Sequence, residues 1–294
     1  MSSSDSRRGL AVGLVILSSL MISFGGVVVR NIHSTDPWLL AYYRNGALGS
    51  VALIALIWFS RSGIVHQFRA IGIIGVMASV CLVIAGLTFL QSLMHTTIAN
   101  TLFTLSSIPF FTAGLAWLFL REQLKPITMI TMCIAVAGIV IMVQGGLTTG
   151  YVYGNLMALV TAFSFAIYAV LLRRNRDVNM QPALVLSSLM IMGVCYVMLK
   201  GQMQISTSDM LLCFLWGGGL SGIGNLMFLV AARHLPAGEI TLYMLIEFSL
   251  GPIWVWLFVG EQPNGSTLYG GSMVLLAVAV RGVLELRSSR IRNQ

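Results

Sequence analysis

The chain has 294 residues, of which 57% are hydrophobic and only 9% charged, with a mean hydropathy of +0.89 and a net charge of +8. That composition leaves too little polar surface for a soluble globular fold. The apolar runs are about the ~20 residues a spanning helix needs, whereas barrel strands would alternate over ~10, so the expected fold is an all-α membrane protein.

In chain order, spans are expected near residues 10–29, 37–59, 70–91, 97–120, 126–144, 153–172, 182–199, 210–232, 237–260 and 267–286. The turns after the third and eighth are short, and an internal repeat argues against merging helices there. Trp117, Leu118, Phe119, Glu122 and Gln123 recur as Trp256, Leu257, Phe258, Glu261 and Gln262, 139 positions later. Leu87, Phe89, Leu90 and His95 recur at the same offset as Leu226, Phe228, Leu229 and His234. The chain therefore divides into repeats at 1–147 and 148–294, with five spans each. An odd number of spans sends the second repeat through the membrane from the opposite side, which makes an inverted-topology pair around a central cavity.

Positive charge supports this arrangement. With the N-terminus cytoplasmic, the inner segments collect Arg7, Arg8, Arg61, Arg69, Arg121, Lys125, Arg173, Arg174, Arg176, Arg233, Arg281, Arg287, Arg290 and Arg292. The outer loops keep Arg30 and Lys200, and Arg44 lies inside a span. This asymmetry places both termini in the cytoplasm, and the expected location is a bacterial inner membrane. Spread through short loops, the basic residues face anionic lipid headgroups, and no basic face for nucleic acid is expected.

Several motifs have ordinary readings. Ser6, Arg7, Arg8 and Leu10 faintly resemble a twin-arginine export signal, but the apolar stretch behind them is long and is followed by nine more spans, so a retained first helix is expected. Cys81, Cys133, Cys195 and Cys213 sit singly in apolar spans without metal-ligand spacing or a disulfide pattern. His33, His66, His95 and His234 form no HxxxH or HExxH pair, and no phosphate-binding loop or dinucleotide fingerprint is present. No metal, cofactor or catalytic residue set is expected. Gly9 with Gly13, and Gly218 with Gly222, have the spacing of close helix approach. The glycines of the eighth span, with Pro109 in the fourth and Pro252 in the ninth, alternatively suit hinges.

The residues from Thr97-Ile98-Ala99-Asn100 through Ser107-Ile108-Pro109-Phe110 to Trp117-Leu118-Phe119-Leu120-Arg121-Glu122 resemble the fourth helix of the EamA family of the drug/metabolite transporter superfamily. Pro236-Ala237-Gly238-Glu239, Glu247, Gly251-Pro252-Ile253-Trp254 and Gly260-Glu261 are similar to the ninth, although Phe248 stands where many members have proline. Ser23-Phe24-Gly25-Gly26 and Tyr43-Arg44 fit the first two helices. The resemblance covers essentially the whole chain. It implies the ten-helix fold of that superfamily, with a cavity lined mainly by the first, third, fourth, sixth, eighth and ninth helices.

Intramembrane ionisable groups are the best pointers to a site, since a charge at the bilayer centre costs about 2.5–3.5 kcal/mol on insertion scales. Arg44 and Glu247 stand out. Glu239, Tyr243 and Glu247 share a helix face at i, i+4, i+8, and their repeat counterparts Asn100, Thr104 and Ile108 are uncharged, so the site is expected to be electrostatically lopsided. Glu247 reads either as a structural helix contact, or as a contact for a substrate amine or a proton-coupling carboxyl. Arg44 reads as a snorkelling structural residue or as the partner of a substrate carboxylate. Together they frame an expected site for a zwitterion such as an amino acid.

Ser23, Gln91, Asn100, Thr104, Ser107, Ser164 and Asn225 are further candidate liners, with Tyr168, Phe165, Phe89, Trp216 and Phe228 as candidate aromatic padding. Glu122 and Glu261, which end outgoing helices, are expected to be architectural, capping the helix that follows. The same structural reading applies to His95 and His234. The expected function is a secondary transporter exporting small metabolites or amino-acid-like compounds by alternating access. Its expected partners are a small-molecule substrate, the bilayer and candidate coupling protons, and it is expected to act as a monomer or weak homodimer. The alternatives are a membrane enzyme acting on lipid or isoprenoid substrates and a non-transporting scaffold or sensor.

Overall fold

The computed structural model describes the backbone of residues 3–34, 36–59, 63–121, 126–175, 178–232, 235 and 237–292; the side chains of 3–8, 59, 148–149, 232, 237–241 and 285–292 lie outside the description. Among the described residues, ten helical segments are long and apolar enough to cross a membrane: α1 (Gly9–Arg30), α2 (Pro37–Trp58), α3 (Gly72–His95), α4 (Ile98–Leu120), α5 (Pro126–Leu147), α6 (Val152–Arg174), α7 (Gln181–Met198), α8 (Thr207–Ala231), α9 (Leu242–Val259) and α10 (Gly265–Leu284). Each matches an expected span, with ends moved by at most a few residues. Large apolar side chains cover the outside: Trp58 is 84% exposed, Ile73 and Val197 72%, and Phe119 67%. In water this surface would aggregate, and in a bilayer it is the lipid contact.

The packing follows a two-fold pattern. α1 packs on α8 and α9, while α6 packs on α3 and α4; α2 pairs with α7, and α5 with α10. Each half therefore lends its first helix to the other, producing two triads, α1/α8/α9 and α3/α4/α6. Small residues bring the pairs together. A Cβ on Gly138 of α5 would lie 2.5 Å from the Gly270 carbonyl oxygen of α10, and a Cβ on Gly270 would strike the Gly138 carbonyl in return. Gly217, Gly218 and Gly222 of α8 lie against Arg44, Ala47 and Val51 of α2. Gly9 and Gly13 have nothing within 4 Å, so their GxxxG spacing makes no helix contact within the chain.

Three spans are irregular. α1 is interrupted at Phe24, between helical segments Ser3–Ser23 and Gly25–Arg30. α4 breaks at Ser106 and Ser107, between Ile98–Leu105 and Ile108–Leu120. There the serine hydroxyls bond back to the Phe103 and Thr104 carbonyls, and Pro109 occupies the first turn of the resumed helix, where its missing N–H is harmless. α8 widens into a π-helical stretch over Leu215–Ile223, a rare form that is frequent at functional sites. Pro252, by contrast, lies within an unbroken helical stretch. Arg281, counted with the inner segments from sequence, lies near the inner end of α10 and donates from Nη1 to the Pro109 carbonyl at 2.5 Å, beside the break in α4.

Candidate functional site

The irregular stretches of α1 and α8 meet around Arg44. Its guanidinium carbon lies 4.4 Å from the centroid of Trp216 and 5.6 Å from that of Phe89. Nη2 makes one long contact of 3.4 Å with the Ser221 hydroxyl, and Nε is fully buried without a hydrogen-bond partner. Two glycines permit this arrangement. A Cβ on Gly217 would strike the Arg44 backbone carbonyl, and one on Gly25 would come within 2.8 Å of the Trp216 indole nitrogen. Trp216 is itself buried at 3% exposure, so the cation rests on an immobile aromatic face. A guanidinium has five N–H donors. Among the described residues it makes only the one hydrogen-bonding contact with Ser221.

Glu247 provides the opposite charge. It is half-buried in α9 and, among the described residues, makes no hydrogen bond or ion pair. Its carboxyl and the Arg44 guanidinium are more than 4.0 Å apart, since no salt bridge joins them. Two turns further along α9, Trp254 stacks on Phe24 at the α1 interruption, with centroids 5.0 Å apart and planes 11° from parallel. The Trp254 indole N–H donates to the Ser23 hydroxyl at 3.0 Å, and that hydroxyl donates to the Leu20 carbonyl at 2.7 Å.

The remaining expected liners fall into separate groups. Asn225 is exposed in α8. Gln91 and Tyr168 are half-buried, and Tyr168 meets Phe165 edge-on. Tyr243 packs in a cluster with Ala11, Val15, Ala231 and Leu235, between α1 and α8. Glu239 is in a helical stretch whose side chains at this point lie outside the described residues, as do Glu122 and His234 entirely.

Asn100 and Thr104 are buried in α4, at 2% and 3% exposure. The Asn100 amide donates to Thr96 and accepts from Thr267 at 2.6 Å, while Thr96 donates to Asn155, so Asn100 belongs to a satisfied network joining α3, α4, α6 and α10. Such networks fix helix register. The Thr104 carbonyl receives the Ser107 hydroxyl at the break in α4.

Glu261 caps a different helix from the one expected. Its carboxylate accepts the Ile98 N–H that opens α4, at 2.6 Å, and the Arg30 Nε at 2.7 Å, so it serves the opposite half and not α10, which follows it. His95 bonds the Gln91 carbonyl and meets Tyr153 edge-on, a local structural role. Ser221 carries no sequence signal, Gly25 enters only through the resemblance in the first helix, and Arg281 only as one of the basic residues near the inner end of the last apolar run.

Among the described residues, ten apolar spans, three of them irregular, with an arginine and a glutamate inside the spans and without ionic partners, define a polytopic membrane protein. The model of the EamA-like transporter family matches residues 9–144 and again 152–282, and the chain belongs to that family. The Pseudopaline exporter CntI of Pseudomonas aeruginosa (strain UCBPP-PA14) is 22% identical over 276 residues, 90% of this chain and 93% of that one. The Uncharacterized transporter YojE of Bacillus subtilis (strain 168) is 28% identical over 167 residues; the alignment spans about half of its length (53%) and 54% of this chain. One solved crystal structure superposes with a TM-score of 0.67 at 17% identity, covering 95% of this chain and 99% of its own, which is a likeness of fold. The chain is an EamA-family multi-pass membrane transporter.

Proposed function

We propose that the protein is a secondary transporter that exports small, amino-acid-like metabolites from a bacterial cytoplasm by alternating access. The observation that carries this reading is the pair of intramembrane ionisable residues, Arg44 and Glu247, without ionic partners among the described residues. Charges held at that depth without compensation are kept for something that enters the bundle. Arg44 supplies fork-shaped donors for a carboxylate, with Trp216 and Phe89 as an apolar floor. Glu247 supplies an acceptor for a substrate amine or takes a proton in exchange.

The helix rise places Arg44 about 10 Å and Glu247 about 18 Å from the ends of their spans on the Arg30 side, an offset that the two side chains and a small zwitterion can bridge. The interrupted α1 and the widened α8 provide bendable elements where the site meets the moving helices. Support for export as the direction comes from the relative named as an exporter. The bacterial relatives support the inner membrane, and the charge distribution supports cytoplasmic termini.

Inside-out vesicles test this reading. Saturable uptake of labelled amino acids or related carboxylate-bearing metabolites, lost in both Arg44→Ala and Glu247→Gln at normal membrane levels, is the expected result. Unimpaired transport in both variants refutes the zwitterion site. An imposed proton gradient separates a coupled exporter from a facilitator.

A further inference from the structure

One knot of bonds ties the two helix triads together at the end that the charge distribution assigns to the outer face. Arg30, the last residue of α1, donates from Nε to Glu261 at 2.7 Å, from Nη1 to the Leu93 carbonyl at 2.8 Å and from Nη2 to the Thr96 carbonyl at 2.9 Å. The other oxygen of Glu261 accepts the Ile98 N–H. Gly260, at φ +78°, turns the chain at the end of α9 in the left-handed region and so delivers Glu261 to this position. Arg30 and Glu261 both follow the α1/α8/α9 triad. Leu93, Thr96 and Ile98 form the tip of the α3–α4 hairpin in the other triad.

The electrostatics suit a clamp. The cation meets the carbonyl end of α3, and the anion meets the N–H end of α4. The ion pair lies within one triad, and three bonds cross to the other. Directly beneath, the triads touch through an apolar plug. A Cβ on Gly26 would come within 2.9 Å of both Ile98 and Val255, and one on Gly251 would strike Leu102. Ile98, Leu102 and Val255 belong to the buried cluster that also holds Trp216, and Trp216 carries Arg44. The side chains of Ile98, Leu102 and Val255 are buried from solvent.

We infer that the Arg30–Glu261 pair is the latch of the outer gate: it holds the tip of the α3–α4 hairpin in the outward-closed state and releases it, with the ion pair itself intact, when the cavity opens outward. The inference rests on the alternating-access reading above, and it names the bonds that must break in each cycle. Release exchanges three crossing hydrogen bonds for bonds to water. The plug of Ile98, Leu102 and Val255 then parts around Gly26 and Gly251, whose lack of side chains leaves the helices free to separate and reseat.

Cys213 is a natural reporter, being fully buried in the same cluster as the plug. In a chain with Cys81, Cys133 and Cys195 changed to alanine, its labelling by a membrane-impermeant maleimide is followed from outside in intact cells and from inside in inverted vesicles. The expected result is slow outside labelling with Glu261 present and at least a tenfold faster rate in Glu261→Ala. Glu261→Gln, which keeps an acceptor for the Ile98 N–H, is expected to fall between, and the inside rate is expected to be unchanged or lower.

Outside rates within twofold of the parent in both folded variants overturn the latch. So do rates that rise equally from both sides, which report general loosening, and failure of both variants to fold, which assigns the pair to architecture. Arg44-dependent flux with unmoved labelling rejects the latch and leaves the transport reading standing. Sided labelling changes without flux of any carboxylate-bearing metabolite do the reverse.

Discussion

Replacing Arg44 with methionine separates a binding role from a structural one, because the two roles predict opposite changes in stability. Methionine is of similar reach and packs adaptably against Trp216. The substitution removes two cation–π contacts, at 4.4 and 5.6 Å, worth about 0.5–2 kcal/mol each. The single bond to Ser221, at 3.4 Å, is too long to contribute much. Against this stands the penalty for a charge in a span, up to about 2.5–3.5 kcal/mol at the centre and less nearer the end.

At the full centre penalty the balance runs from about 1.5 kcal/mol less stable to about 2.5 kcal/mol more stable than the parent, and methionine packing on Trp216 offsets part of the lost ring contact, so a stability near or above the parent's is expected, as when other buried ions are exchanged for apolar residues. Binding changes the other way. Loss of charge-assisted bonds to a carboxylate, about 1.5–3 kcal/mol, raises the half-saturating substrate concentration roughly ten- to hundredfold. The assay pairs thermal unfolding in detergent, with and without carboxylate-bearing ligands, with vesicle uptake. The parent is expected to be stabilised by ligand, and Arg44→Met to melt at or above the ligand-free parent without responding to ligand. A variant that melts well below the parent and still transports normally refutes the reasoning and makes Arg44 structural.

Glu247→Gln is expected to leave folding intact and to remove gradient-driven accumulation in inverted vesicles at least tenfold; retained gradient dependence excludes Glu247 as the coupling group. Gly217→Ala drives a methyl group into the Arg44 carbonyl, a backbone atom that cannot move aside, and is expected to destabilise the α2–α8 contact by about 1–3 kcal/mol, read as a lower melting temperature. Gly270→Ala meets the Gly138 carbonyl in the same way and is expected to destabilise α5–α10 by a similar amount while leaving the substrate's half-saturating concentration unchanged, because that pair is distant from Arg44.

The two charges were legible in the sequence, but their surroundings were not. Arg44 and Glu247 are conspicuous because an ionisable residue in an apolar run is rare and expensive, which is a local property. Asn100 draws attention as the uncharged repeat counterpart of Glu239, yet its amide is taken up by Thr96 and by Thr267, 167 positions away. Polarity within a span signals that a partner exists without saying which. Glu261 shows this most directly: its place at a helix end suggested a cap, and the capped helix begins 163 positions earlier, in the other half.

What the sequence by itself determined was the material of the fold and its division: ten spans, their ends to within a few residues, two repeats at a 139-residue offset, and family membership. These follow from hydropathy summed over about twenty residues and from self-similarity, neither of which needs a third dimension. Tertiary structure alone decided that each half lends its first helix to the other, that α1, α4 and α8 depart from regular helix, and that Arg44 rests on aromatic rings without an ionic partner. It also decided that Arg30 and Glu261 close on the α3–α4 hairpin. The reason is the range of the forces. Burial in lipid acts on each span separately and is written along the chain, whereas hydrogen bonds and ring contacts act over a few ångströms between residues that only the packed bundle brings together.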